Sequence, residues 1–154
     1  MYGNEVLNGF RLLRKMIELQ ANEIAKTADT QTIVSIADAF PYYMQSGSYE
    51  VGDIRRDPDT GQPKKCRQAY DATEQTDWTI KDTTLWIPYH GYSEATAYPW
   101  SAPTGAVDMY LAGEYMTYTD GKIYKCLTDT NFSPEEYAVA WEDIHPSSDE
   151  TVTE

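Results

Sequence analysis

The sequence predicts a mainly β protein in which an N-terminal α-helix is followed by two small tandem antiparallel β modules. Three observations predict this. First, a stretch from Tyr49 to Trp86 is echoed from Tyr110 to Trp141. The later copy reads YLAGEYMTYTDGKIYKCLTDTNFSPEEYAVAW and the earlier one YEVGDIRRDPDTGQPKKCRQAYDATEQTDWTIKDTTLW. Tyr49 matches Tyr110, Gly52-Asp53 matches Gly113-Glu114, Gly61 matches Gly121, Lys65-Cys66 matches Lys125-Cys126 and Trp86 matches Trp141. A repeat with the same turn and the same closing Trp is the mark of duplication. Second, 13 Tyr and 4 Trp stand against only 3 Phe, which suits small β units that use rings with a polar handle. Third, apolar residues recur at heptad spacing near the N-terminus.

Residues 4–26 read as a helix. Val6, Phe10, Leu13, Ile17, Gln20 and Ile24 are spaced alternately four and three. Leu7, Leu12, Met16 and Leu19 widen the apolar surface beyond a two-stranded seam. Three readings follow: an amphipathic helix packed on its own domain, a short coiled coil, a trimer included, or a helix docked on a larger assembly. Residues 28–31 form a polar break. Residues 32–40 are apolar with the period of a short helix or strand and stop at Pro41. Tyr42 and Tyr43 begin the first module.

In each module Gly-Asp or Gly-Glu breaks the chain before a strand, and Asp59-Thr60-Gly61 or Thr119-Asp120-Gly121 supplies the hairpin turn. Ile123 and Lys125 alternate with Tyr124 and Cys126 across the second strand of the later copy. Pro63 interrupts that alternation in the earlier copy, which predicts an edge or bulged strand. The closing Trp86 and Trp141 are expected to pack back over their hairpins, because so short a sheet buries little by itself. The chain thus divides into a helix at 1–28 for oligomerisation or docking, a first module at 33–87, a structured linker at 88–109 rich in aromatics, a second module at 110–144, and a polar acidic tail at 145–154, expected to be disordered.

The pattern Y-x-x-G-[DE]-x-x-x-Y-x-D-G-K-x-Y-x-C, then a polar loop, an aromatic and a closing Trp, resembles the chitin-binding type-3 modules, carbohydrate-binding module families 5 and 12. More narrowly it is similar to the tandem version in short tail-associated proteins of phages and prophages of Gram-positive bacteria. There a P-W-x-x-P-T-G-A-x-D-x-Y linker joins the copies, and here Pro99 to Tyr110 reads PWSAPTGAVDMY. The match covers roughly residues 38–144. The first copy departs from the pattern with Arg55-Arg56 before the turn, and with Pro63-Lys64 where the second has Ile123-Tyr124. The resemblance implies a virion protein, associated with tail fibre, baseplate or capsid, whose partners are host-surface polysaccharide and, through the helix, phage structural proteins. The seam adds a homo-oligomer, with a trimer among its forms.

A net charge of −13 argues against nucleic acid and against anionic membrane surfaces, since nothing neutralises phosphates in a patch. Both Cys read as small buried hydrophobes, because matching positions in separate modules rarely lie within disulfide reach. No signal-peptide pattern or bilayer-length apolar segment is seen, so synthesis in the host cytoplasm without membrane insertion is expected. No nucleophile elbow or phosphate loop occurs, and His90 and His145 are too far apart to suggest zinc. No enzyme, metal or cofactor is expected. Asp57-Pro58-Asp59-Thr60-Gly61 resembles a calcium loop faintly, but it lacks the later ligands, and the hairpin-turn reading is preferred.

Sugar binding needs a flat ring and polar groups that fix hydroxyls. Tyr70, Asp71, Gln75, Asp77 and Trp78 share one polar loop in the first module, while the second offers Asn131 and Phe132. Trp78 sits where the second copy has Phe132, and both have two readings: a core plug or a platform. Trp100 reads as a wedge between modules or an exposed platform. Trp86 and Trp141 are assigned to core.

Overall fold

The computed structural model describes residues 2–146. It contains one long N-terminal helix and three small antiparallel sheets. Helix α1 spans Tyr2–Ala25. Ala21 is buried, and the small residues Ala21 and Ala25 let its C-terminal third lie close against the rest of the chain. Helix α2, Thr30–Ser35, begins where the Asp29 carboxylate accepts the Thr32 amide at 2.8 Å, a side-chain N-cap. A 3₁₀ turn at Ala37–Ala39 follows and delivers Phe40 to the interior. Ala21, Ile33, Phe40 and Ile54 form the small core that joins helix to sheet. Residues 32–40 are therefore helical, and Pro41 ends the run.

Strands β1 (Ser48–Tyr49), β2 (Ile54–Arg56), β3 (Pro63–Cys66), β4 (Tyr70–Asp71) and β5 (Trp86–Pro88) precede β6 (Tyr115–Thr117), β7 (Ile123–Cys126) and β8 (Trp141–Asp143). β1 pairs with β4, β2-β3-β5 form one three-stranded sheet, and β6-β7-β8 form another. The two three-stranded sheets share a register. Cys66 pairs with Trp86 as Cys126 pairs with Trp141, and Lys65 pairs with Ile54 as Lys125 pairs with Tyr115. Gly52 and Gly113 take φ of 98° and 97°, a region open to Gly without strain. Their amides donate to the Cys66 and Cys126 carbonyls at 2.8 and 2.9 Å. The Asp53 and Glu114 carboxylates each accept the backbone amide three residues earlier, of Glu50 and Leu111, at 2.8 Å. Both thiols are free and buried, and each Sγ–H points to a carbonyl two residues on, Gln68 and Thr128.

The correspondence reaches further toward the N-terminus than sequence matching carried it. The Tyr43 amide donates to Arg56 O at 2.9 Å and the Trp100 amide to Thr117 O at 2.8 Å. Tyr43 stacks on Tyr49 and Trp100 on Tyr110, both with centroids 5.1 Å apart. Each stack meets its closing indole edge-on: Tyr49 to Trp86 and Tyr110 to Trp141, both at 5.2 Å. The Tyr49 hydroxyl accepts the Met44 amide and the Tyr110 hydroxyl the Ser101 amide. Trp100 is thus the counterpart of Tyr43 in a ring triad, not an exposed platform. The residues packed on the second three-stranded sheet thus include Tyr98 and Trp100, from the expected linker. That linker is woven onto the edge of β6: Tyr115 N donates to Gly91 O, and Thr117 N to Tyr98 O, both at 2.9 Å. Gly91 is required there, since a Cβ would stand 1.7 Å from the Thr96 carbonyl oxygen.

One expectation is corrected. β3 is the central strand of its sheet, not an edge strand. Pro63 is tolerated because it opens the strand, where only one ladder donor is lost, while its carbonyl still accepts the Tyr89 amide. The Asp57–Gly61 stretch is a turn, closed by the Gly61 amide on Asp57 O at 2.8 Å. The Asp57 carboxylate takes the Lys81 ammonium at 2.7 and 2.8 Å and the Lys64 ammonium at 3.2 Å. Burial alone would raise the Asp57 pKa, but the two ammonium groups outweigh it and hold it below the usual carboxylate range. Among the described residues no group of three or more His, Cys, Asp or Glu is placed to hold a metal ion, and no helix is long and apolar enough to cross a membrane. Of the expected tail, residues 147–154 lie outside the described residues. His145 meets Glu94 through its ring and Asp143 through its amide.

Trp86 is fully buried and Trp141 nearly so. Trp86→Ala and Trp141→Ala are each expected to cost about 3–5 kcal/mol, as for other emptied aromatic sites. Trp100→Ala, half-buried in the triad, should cost more than about 1 kcal/mol, beyond the range of surface changes. Urea unfolding of the three variants checks the order.

Candidate functional site

The loops between the second and third strands of each sheet carry the residues expected to bind sugar, and the two loops differ. In the first, Gln45 reaches across and donates from Nε2 to the carbonyls of Ala72, Gln75 and Trp78, at 3.0, 3.2 and 2.9 Å. The Tyr43 hydroxyl donates to Trp78 O at 3.1 Å. That staple pulls the loop inward. Trp78 lies half-buried against the first core, its ring 5.4 Å from Tyr70. Tyr70 is buried, and its hydroxyl accepts the Trp86 indole N–H at 2.9 Å. Tyr70 is thus a core residue with no face for a ligand, and Trp78 is a plug on its edge. Asp71 is spent on the Thr73 amide at 2.9 Å. Gln75 and Asp77 are exposed on the loop.

The second loop turns outward. The Trp141 indole N–H donates to Phe132 O at 2.9 Å, so the closing Trp grips the Phe132 backbone instead of covering its ring. Phe132 is 55% exposed and Tyr137 44%. Between them runs an open groove of about 410 Å³ bounded by Phe132, Glu136 and Tyr137. The loop is rigid for its length. Ser133 N donates to Glu136 Oε1 at 3.0 Å, and Glu136 N donates to Ser133 Oγ at 3.2 Å, the reciprocal bonds of a capping box. Phe132 N donates to Thr130 Oγ1 at 3.0 Å. Asn131 is exposed next to Phe132. Of the eight residues singled out in the sequence, Asn131 and Phe132 come together at an accessible ring face. Tyr137 and Glu136 complete it and were not singled out. The Ser133-Pro134-Glu135-Glu136 run was the legible signal, since a Ser followed three residues on by Glu predicts a pinned turn that holds its flanking rings in place.

A second concave region lies between the sheets, about 240 Å³, lined in part by Lys65, His90, Asp108, Val107 and Glu114. His90 stacks on Tyr110 at 3.7 Å, and its Nε2 is 3.0 Å from Asp108 O. Burial lowers the His90 pKa from 6.5 to about 4, against the opposing pull of Asp108. Burial raises the Glu114 pKa from 4.5 to about 7, with Asp129 adding to it while the Leu111 amide and the Tyr92 hydroxyl oppose it. A buried acid near pH 7 can serve as a general acid. Here, however, Glu114 repeats the turn-closing bond that Asp53 makes in the first unit, so a structural role accounts for its position. Burial also pushes the Cys126 thiol up to about 11, which leaves it a poor nucleophile.

No protein-family model matches the chain. No curated protein matches it either.

His90 and Glu114 pull stability in opposite directions. His90, depressed in the folded state, contributes stability that is present above pH 6.5 and lost as pH falls toward 4. Glu114, raised in the folded state, contributes stability that is present below pH 4.5 and lost as pH rises through about 7. Between pH 4.5 and 6.5 the slopes oppose, so the wild type should be nearly flat there. Glu114→Gln removes one of them, and its stability should climb with pH by up to about 1.4 kcal/mol per unit. Urea unfolding at four pH values between 4.5 and 7.5 reads both profiles; parallel curves would count against the assignment.

The two loops also separate in stability. Phe132→Ala should change unfolding free energy by less than about 0.5 kcal/mol, as exposed positions do. Trp78→Ala should cost more than about 1 kcal/mol through lost packing on Tyr70. Thermal melts of the pair test the contrast between platform and plug.

Proposed function

We propose that this chain is a non-enzymatic structural accessory protein of a phage particle, attached through its N-terminal helix to a tail fibre, baseplate or capsid, and displaying two tandem chitin-binding-like β modules toward host-surface glycan. The shared register and the paired ring triads support reading the two sheets as copies of one module. The observation that carries the glycan reading is the Phe132–Tyr137 shelf: two exposed rings on a loop pinned by Trp141, with Asn131 and Glu136 beside them. Sugar C–H faces pack on such rings, and amide and carboxylate groups bond the hydroxyls at the edge. The first module keeps the fold but spends its matching aromatic, Trp78, on its own core, so the second module is the binding copy.

The charge of the shelf narrows the ligand. No Lys or Arg occurs from residue 127 to residue 144, while Asp129, Glu135, Glu136, Glu142 and Asp143 do. A polyanionic wall polymer would meet repulsion here. A neutral polysaccharide fits.

The full-length protein, tested on a glycan array and against purified Gram-positive cell-wall polysaccharide, should retain neutral glycans. Phe132→Ala/Tyr137→Ala should weaken that retention at least tenfold, about 1.4 kcal/mol, with little dependence on salt. Trp78→Ala, once corrected for its stability loss, should bind as wild type. If no glycan is retained, or the double variant binds unchanged, the rival reading prevails: a decoration or assembly protein whose modules bind protein. Retention only alongside a lytic enzyme would point to the cell-wall-binding part of a lytic system.

A further inference from the structure

Helix α1 turns one side to the rest of the chain and leaves the other bare. Arg14, Glu18, Ala21 and Ala25 share one stripe, and that stripe faces the body: Ala21 and Ala25 enter the core with Phe40, and Arg14 Nη2 donates to Phe40 O at 3.1 Å. Nine large apolar side chains of α1 remain 41–64% exposed. Eight of them form two flanks. Val6, Phe10, Leu13, Ile17 and Ile24 make the first; Leu12, Met16 and Leu19 make the second; Leu7 lies in line with Ala25 on the body-facing stripe. At 100° per residue the flanks lie roughly 120° apart, the first beside the body-facing stripe and the second on the far side of the helix. Gly9 and Gln20 run between them, with Glu5 and Glu23 toward the ends beside the second flank.

We propose that the α1 helices of three copies of this chain pack together through these flanks, each helix lying against two neighbours. A two-stranded seam covers one stripe of a helix; two separated flanks ask for two neighbours. A standard interface takes about 800 Å² from each partner; here two neighbours share the exposed flanks of each helix, and the three contacts close into a ring. Charge selects a second copy of the helix as the occupant. Within Tyr2–Ala25 the three acids Glu5, Glu18 and Glu23 balance the three bases Arg11, Arg14 and Lys15, so the net charge of −13 lies entirely outside the helix. Copies of the acidic body repel one another, and the neutral helix is where they can approach. The first flank also borders a groove of about 210 Å³ walled by Ile17, Ile24, Ile36 and Ala39, a seat for a neighbour's apolar side chains. This rests on the helix as the attachment element and not on glycan binding.

The test is multi-angle light scattering on the full-length protein at tens of micromolar, without polysaccharide. The expected mass is three times the 17.5 kDa of one chain. Phe10→Glu in the first flank and Leu19→Glu in the second should each return it to one chain, while Arg11→Gln on the polar side should leave three. Leu12→Gln/Leu19→Gln should give the same loss if a Glu variant fails to fold, and an unchanged thermal melt of the body shows that the sheets are intact. Raising salt should strengthen the trimer by screening the acidic bodies. A wild-type monomer would mean that the flanks await another protein and would overturn the proposal. A two-chain mass would overturn the two-neighbour packing, and so would Glu variants that keep the three-chain mass. Absence of glycan binding would not alter any of these readings.

Discussion

Each three-stranded sheet depends on one edge-on contact, an indole closing over a stacked pair of rings. Trp86 meets Tyr43 and Tyr49, and Trp141 meets Trp100 and Tyr110. Sheets of three or four residues per strand bury little through their own faces. The triads supply the missing apolar area and orient it, since edge-to-face rings have a preferred geometry. The rest follows from where the Trp must stand. Its strand pairs with the Cys strand in one register, the buried thiol fills the space beneath, and the loop before the Trp is drawn over or pushed away according to what the indole N–H finds.

That last choice separates the two units. In the first, the indole N–H meets the Tyr70 hydroxyl, and Gln45 and Tyr43 stitch the loop down so that Trp78 lies on the core. In the second, residue 130 is Thr where the first has Tyr70 across the same pairing. No phenol is there to accept the proton, so the indole takes the Phe132 carbonyl, and the ring stays in water. The partner of the indole N–H, together with the Gln45 and Tyr43 bonds present only in the first loop, separates a loop on the core from one in water. The turns diverge likewise: the first is wide and closed by the Asp57–Lys64–Lys81 ion cluster, the second tight and held by Tyr118 and Asp120.

Between the units the chain is not a tether. Residues 91–100 lie along β6, and Asp108 gathers the Thr104 and Gly105 amides and the Thr104 hydroxyl at 2.8–3.0 Å. This brings His90 onto Tyr110 and buries it. Packing of this kind is expected where each unit is near the lower size limit for an independent core.

The sequence by itself determined the helix, the two hairpins, their glycine turns and the closing Trp residues. These are local: periodicity, positive φ and a repeated order of residue types are all written in consecutive positions. It also showed both Cys as buried and the 88–109 segment as structured. Tertiary structure alone decided which aromatics are core. Tyr43 and Trp100 differ in residue type and sit in unlike surroundings, so their equivalence is visible only in the bonds to Arg56 and Thr117. Trp78 and Phe132 align in sequence yet take opposite environments, because burial is set by partners some distance along the chain: Gln45 and Tyr43 for one, Trp141 for the other. Pro63 was misread for the same reason. A missing N–H is a local fact, but whether a strand is central depends on which third strand arrives, and that is a long-range contact that no spacing records.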